Sequence, residues 1–196
     1  MIPCTRMLPD TPVVCVARGL LSALPKEEFA QLSPHLKTVK LHFRDVLIEP
    51  GEPVQDAYFP HSAVISLIAV MANGSSAEAA TVGPEGFIGF GGLLGDDITK
   101  YRCIVQVGGE ASRIDMTHLR AISRRSGSIQ DLLFRYIRAH IVQLSQAVAC
   151  NSLHTVEQRA ARWLRQSITI TDRAGLEQVS CECYCIMRQV FDWVVA

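Results

Sequence analysis

The longest regular pattern of apolar positions lies between Ile129 and Cys150. Five apolar residues there are separated alternately by three and four positions, which places them on one stripe of an α-helix. They are Phe134, Ile137, Ile141, Leu144 and Val148. The stripe is typical of a coiled-coil seam, so we expect the chain to form a homodimer through it, with the helix's remaining apolar surface on its own β domain. A core helix within one monomer has the same periodicity and is the alternative.

From Lys37 onward the apolar period changes to two. Val39, Leu41 and Phe43 alternate with polar residues, as expected of a half-buried strand. Short apolar runs follow at 46–49, 57–59, 63–70, 77–82, 104–107 and 111–114. About eight short strands with regular turns predict an α+β fold built on an antiparallel β-roll, that is, a jelly roll or double-stranded β-helix.

Turn and cap signals punctuate this pattern. Pro50-Gly-Glu-Pro53 predicts a turn, and Asn73-Gly74 and Gly108-Gly109 predict hairpins. Pro25 followed by two glutamates predicts a short helix before the first strand. Thr155 and Gln158 form a capping-box pattern, which predicts a second helix beginning just after the long one.

The stretch from Val82 to Gly95 contains six glycines in fourteen residues. Glycine frees the backbone for left-handed conformations, and successive exposed N–H groups can cradle an anion such as phosphate. A tight barrel corner, where glycines only relieve crowding, is the alternative.

The formal net charge is zero, but the charge is unevenly distributed. Between Arg120 and Arg173, nine arginines face three acidic residues, a local balance of +6, whereas residues 1–119 carry nine basic and thirteen acidic residues. This asymmetry is compatible with an acidic sensing domain joined to a basic part that faces nucleic acid. A solvated helix face explains it equally well.

The seven cysteines are odd in number, and the first four are scattered. We see no secretory signal and no apolar run long enough to span a membrane, so we expect a cytoplasmic protein without a membrane partner. Cys181-Glu-Cys-Tyr-Cys185 resembles half of a metal site, but no histidine follows it. We therefore expect no metal centre and no cofactor. The six histidines are dispersed and no nucleophile elbow is present, so we expect no enzyme.

The order of these parts resembles the Crp/Fnr family of bacterial transcription regulators. The segments that carry the resemblance are LLSALPKEEFAQLSPHL (20–36), IEPGEPVQDAYFPHSAVISL (48–67), VGPEGFIGFGGLLG (82–95) and NSLHTVEQRAARWL (151–164). It covers about residues 19–167. It implies a cyclic-nucleotide-binding-like β-roll that senses a small-molecule effector, a dimer helix that transmits the signal, and a winged helix-turn-helix that reads palindromic DNA. The ligand-binding positions that it implies are Gly83, Gly86, Phe87, Gly89, Phe90, Gly91, Lys100, Arg102, Leu144 and Ser145.

The chain departs from this family at the effector site. Cyclic-AMP-binding members carry a glutamate for the ribose hydroxyls where this chain has Phe90, and a threonine that reads adenine falls on Leu144. Lys100 and Arg102 are not in clean register with the arginine that neutralises the cyclic phosphate. Unpaired ribose hydroxyls would cost roughly 1 to 3 kcal/mol each, so we expect cyclic AMP not to be the effector, whose identity stays open.

The chain also departs at its end, where no helix-turn-helix pattern follows Ser167. We expect a truncated or divergent DNA-binding part, with Arg159, Arg162 and Arg165 making at most weak phosphate contacts. The expected division is an arm at 1–18, a β-roll at 19–126, a dimer helix at 127–152 and a hinge helix with a remnant at 153–196. The leading hypothesis is therefore the sensing and dimerisation portion of a Crp/Fnr-type regulator. The alternative is a stand-alone ligand-binding or interaction module that heterodimerises with full-length regulators.

Overall fold

The structure is a computed structural model, and it describes residues 19–95, 98–156, 159 and 182–195. The N-terminal arm expected at 1–18 and most of the helix expected after Thr155 lie outside the described residues. Within these ranges the α-helices are α1 (Lys26–Leu32), α2 (Phe90–Leu93), α3 (Met116–Arg125), α4 (Gly127–Leu153) and α5 (Glu182–Val195), and two short 3-10 helices cover Leu20–Ala23 and Ser33–His35. The strands are β1 (Lys37–Leu41), β2 (Val46–Ile48), β3 (Asp56–Pro60), β4 (Val64–Val70), β5 (Ser76–Val82), β6 (Tyr101–Val107) and β7 (Gly109–Asp115).

The strands form two antiparallel sheets. One has the order β1-β7-β3 and the other β2-β6-β4-β5. Buried side chains of both sheets share one core with α3 and α4, including Phe59, Ile65 and Ile114. This arrangement confirms the predicted α+β fold with an antiparallel β-roll and a long helix after it.

The two predicted glycine hairpins had different outcomes. Asn73-Gly74 does join the paired strands β4 and β5, and Gly74 has a φ of +84°. The hairpin predicted at Gly108-Gly109 is wrong, because β6 and β7 belong to different sheets. A Cβ at Gly109 would lie 2.6 Å from the backbone nitrogen of Ala63, so the small residue permits a close crossing between the sheets.

The first strand is shorter than its alternating pattern predicts. It ends at Leu41, and Phe43 lies in the following turn with 63% of its surface exposed. That turn is fixed by Asp45, whose carboxylate accepts a hydrogen bond of 2.7 Å from the His42 amide. The Arg44 guanidinium covers the Phe43 ring at 5.1 Å. Turn chemistry therefore overrides the alternation at Phe43.

Helix α4 contains the predicted stretch and extends beyond it at both ends. At its start the Ser126 hydroxyl accepts a hydrogen bond of 3.2 Å from the Ile129 amide and donates to Glu28 of α1. This cap ties the N-terminal helix to the long one. The buried side chains of α4 face the β-roll, among them Leu132, Leu133 and Tyr136.

Sequence reasoning missed helix α5. Cys183, Met187, Val190 and Val194 follow a four-three-four spacing, which is a helical signal that the cysteine cluster obscured. The helix runs back along α4, because Cys183 lies near the end of α4 while the Phe191 ring is 6.2 Å from that of Tyr136. Among the described residues, no helix combines the length and apolar character that crossing a membrane requires.

Candidate ligand-binding site

The glycine-rich corner between β5 and α2 is built from tight turns. The Gly86 amide donates to the Gly83 carbonyl at 3.1 Å, and the Gly92 amide donates to the Gly89 carbonyl at 3.0 Å. The Gly83 amide donates in turn to the carboxylate of Glu85 at 2.9 Å. These three N–H groups are therefore engaged within the corner itself.

Two of the glycines are required by geometry. Gly89 has a φ of +92°, and a Cβ there would lie 2.8 Å from the Asp56 carbonyl oxygen. A Cβ at Gly86 would lie 2.2 Å from the ring of Tyr136 on α4. The corner therefore packs directly on the long helix, as the crowding interpretation of its glycines requires.

Behind the corner, aromatic rings from three parts of the chain meet. We call this group the aromatic cluster; its members are Phe87, Phe90, Tyr101, Tyr136 and His140. The Phe90 ring lies 5.9 Å from the Tyr101 ring and 4.9 Å from the His140 ring, centroid to centroid. The Phe87 and Tyr136 rings are 5.1 Å apart. The corner, β6 and α4 are thus joined by apolar packing.

His140 is the most unusual member of the aromatic cluster. It is 1% exposed, and the polar side chain beside its ring is that of Gln143. Burial lowers the pKa of His140 to about 4, because the cation cannot be hydrated there. Burial also raises the pKa of Tyr136 well above its usual value. Both side chains are therefore neutral near pH 7.

The other ligand-binding positions that the resemblance implies are dispersed. Gly91 lies within α2. Lys100 is exposed, outside the aromatic cluster. Arg102 forms an ion pair with Glu49, with 2.9 Å between Nε and the carboxylate. The guanidinium expected to face the phosphate of a ligand is therefore engaged with Glu49.

Leu144 and Ser145 of α4 are not members of the aromatic cluster. Leu144 is half-buried, and the exposed Ser145 hydroxyl donates to the Ile141 carbonyl of its own helix at 3.0 Å. The residues of α4 that face this part of the β-roll are Tyr136, His140 and Gln143, and Gln143 donates to the Thr81 carbonyl at 3.2 Å. Sequence reasoning did not identify these three, although Tyr136, His140 and Gln143 share the spacing of one helix face.

The predicted dimer stripe divides between the interior and the surface. Ile137 is 6% exposed and belongs to the core, and Leu144 is half-buried. Phe134, Ile141 and Val148 are 43%, 58% and 67% exposed. Seven-residue spacing places these three in one row, which we call the exposed row.

Of the arginines predicted to touch DNA phosphates, the structure describes Arg159. Its guanidinium donates to the Asn151 side chain at 3.3 Å, which holds it against the end of α4. Arg162 and Arg165 lie outside the described residues.

Comparison with known families agrees with this architecture. Residues 38–126 match the model of the cyclic nucleotide-binding domain. The β-roll therefore has the fold of that domain. No curated protein matches the chain significantly.

Solved structures with the same fold come from different kinds of protein. The c-di-GMP-responsive global regulator CLP of Xanthomonas campestris is 18% identical, with a TM-score of 0.55, covering 86% of this chain and 91% of that one. The N-terminal domain of a transcriptional regulator from Streptomyces coelicolor is 19% identical, with a TM-score of 0.50, covering 69% and 93%.

A third similar structure is the regulatory subunit of a cAMP-independent protein kinase A from Trypanosoma brucei. It is 18% identical, with a TM-score of 0.52, covering 59% of this chain. The matched region spans 42% of the length of that subunit. At these identities the comparisons establish the fold, which regulators and kinase subunits share.

Proposed function

We propose that this chain is the sensing and dimerisation part of a Crp/Fnr-type transcription regulator, and that two copies associate through α4. The observation that carries the proposal is the exposed row of Phe134, Ile141 and Val148. A helix packed only on its own domain gains nothing from exposing three large apolar side chains at heptad spacing. Burying each would contribute roughly 1.5 to 3 kcal/mol.

The surroundings of the exposed row support a helix pair. Asp131, Arg138 and Ser145 are exposed and follow the same seven-residue spacing beside it. Polar residues flank the apolar seam of coiled coils in this manner. Phe134 also lines an open groove of about 630 Å³ together with Leu24 of the N-terminal segment. We expect the partner chain to contact this groove.

We propose further that the module does not sense cyclic AMP or cyclic GMP, and the aromatic cluster supports this. Phe90 occupies the position that resembles the ribose-binding glutamate, and it packs on Tyr101 and His140. A cyclic nucleotide would have to displace these contacts and leave its ribose hydroxyls unpaired, at about 1 to 3 kcal/mol each. The effector, if the module has one, is a different small molecule.

Sedimentation equilibrium of the full chain at micromolar concentration tests the dimer. We expect twice the monomer mass for the wild type and monomer mass for the Ile141→Glu, Val148→Glu double variant, since two carboxylates would be buried opposite two others. Met71→Glu is the matched control, because Met71 is also an exposed apolar residue, at 55%, but lies in the β4–β5 turn. Wild-type monomer, or equal dissociation of the control, would refute the proposal.

A further inference from the structure

Three metal-ligating side chains meet where the end of α4 touches the start of α5. The ligand atoms of Cys150, His154 and Cys183 all lie within 4.8 Å of one another. Cys150 and Cys183 are 0% and 1% exposed, and His154 is half-buried at the cluster's solvent side. Both cysteines are thiols rather than halves of a disulfide.

The chain places these residues together by simple geometry. Cys150 is in the last full turn of α4 and His154 is the C-cap of that helix, which brings the two side chains close together. Cys183 comes from α5, which is held against α4 by Phe191 on Tyr136 and by Val194, which is 2% exposed in the core. No histidine follows the cysteines at 181–185 in the sequence, but the fold brings His154, which precedes them, to Cys183.

We propose that Cys150, His154 and Cys183 bind a thiophilic d¹⁰ metal ion, with Zn²⁺ as the ion that fits best. Tetrahedral zinc with sulfur ligands at about 2.3 Å and nitrogen at about 2.0–2.1 Å has S···N edges of about 3.6 Å and S···S edges of about 3.8 Å. The observed distance from Cys183 Sγ to His154 Nδ1 is 3.5 Å. The three ligands therefore need only a small closing movement.

The neighbourhood suits a metal thiolate. Gln146, one turn before Cys150, donates its side-chain N–H to the Cys183 sulfur at 3.0 Å. Such a donor stabilises negative charge on sulfur. Two thiolates and one imidazole balance the charge of a divalent ion, and binding releases two thiol protons to the solvent. The half-exposed side of His154 leaves the fourth position to water, and the ion would fasten α5 to the end of α4.

Zinc titration of the reduced full chain against a chromophoric chelator tests this site. We expect one ion per chain, bound with micromolar affinity or tighter, and cobalt should give the absorption of tetrahedral thiolate coordination. Cys150→Ser and His154→Asn should each weaken the affinity by at least about 100-fold, and Gln146→Leu by about 10-fold. Circular dichroism of each variant verifies folding. His154→Asn should disturb the fold least, because His154 is half-exposed.

Cys103→Ala is the matched control, since Cys103 is equally buried but lies on β6, and it should keep the affinity. The proposal is overturned if no zinc binds. It is also overturned if the Cys150→Ser, His154→Asn double variant still binds zinc. The same holds if the Cys181→Ser, Cys185→Ser double variant loses zinc although Cys150 and His154 are intact. A Cys150–Cys183 disulfide with no zinc binding after reduction would assign the pair to redox chemistry instead.

Discussion

The imidazole of His140 and the ring of Phe90 lie 4.9 Å apart, inclined at 56°. One residue comes from the long helix and the other from the glycine-rich corner, so this contact joins the helix that we propose to dimerise to the predicted sensing element. Any ligand that enters behind the corner must separate the two rings. We therefore predict that a ligand bound there would shift the position of α4.

Cyclic AMP and cyclic GMP should not bind this chain with useful affinity. The reason is that Phe90, Tyr101 and His140 fill the space with apolar surface and offer no carboxylate to ribose. Isothermal calorimetry of the wild type with both nucleotides should give no measurable heat of binding at micromolar concentrations. Phe90→Glu alone should not restore binding, because Tyr101 and His140 remain in place. A sub-micromolar dissociation constant for either nucleotide would show that the corner accepts them.

The stability of the fold should fall between about pH 6.5 and pH 4, partly because of His140. Its pKa is lowered to about 4 in the folded chain by burial, while the unfolded chain keeps a value near 6.5. Between these values the unfolded state binds the extra proton, so acid favours unfolding. The difference corresponds to about 3 kcal/mol, present in full above pH 6.5 and lost as pH falls to 4.

Urea denaturation across this range measures the effect of His140. His140→Phe fills a similar volume without a titratable group, so its unfolding free energy should fall about 3 kcal/mol less than that of the wild type. Burial raises the pKa of the neighbouring Tyr136 well above its usual value, so that side chain is neutral over this range and should not contribute. Identical pH profiles for the two proteins would mean that His140 is hydrated in solution.

Substitution of Gly86 should destabilise the fold more than an ordinary glycine substitution. In Gly86→Ala the new methyl group would overlap the buried Tyr136 ring, and overpacking of this kind costs about 1 to 3 kcal/mol. Gly127→Ala is the matched control, because nothing lies within 4 Å of a Cβ at Gly127, and alanine favours the helix by up to about 1 kcal/mol. Thermal unfolding should separate the two variants in opposite directions. Equal melting temperatures would show that the corner does not pack on α4.

The chain alone should not read DNA sequence. The sequence after Ser167 carries no helix-turn-helix pattern, and phosphate contacts by arginines add affinity without base information. Fluorescence anisotropy against genomic fragments at about 150 mM salt should show no preference over competitor DNA. Binding to one fragment that resists competitor would reveal a reading element in the C-terminal segment.

The architecture was predictable where local signals agree with tertiary packing. Local patterns were sufficient to predict single elements: the period-two runs predict strands, Asn73-Gly74 predicts a turn, and the apolar stripe predicts helix α4. The hairpin predicted at Gly108-Gly109 is wrong because two adjacent glycines are compatible both with a hairpin turn and with a connection between two sheets. Only the pairing of the strands distinguishes the two structures. The alternation fails at Phe43 because the Asp45 carboxylate accepts a hydrogen bond from the His42 amide and so ends the strand.

The candidate sites were harder to predict, because they depend on distant parts of the chain. His140 joins Phe90 and Tyr101 through the docking of α4 on the β-roll. His154 approaches Cys183 only because α5 turns back along α4. His140 and Gln143 of α4 contact Phe90 and the Thr81 carbonyl, and the periodicity of the helix alone does not single them out.

Cysteine cross-linking through α4 tests the central claim most directly. In a parallel pair of helices, Ile141 at the middle of the exposed row meets its own counterpart, at a Cα separation that a disulfide can span. Mild oxidation of Ile141→Cys should therefore give a covalent dimer, and peptide mapping should find the introduced cysteine linked to its counterpart. The wild type and Met71→Cys should not form this species. Failure of Ile141→Cys to cross-link above the level of Met71→Cys would contradict dimerisation through this helix.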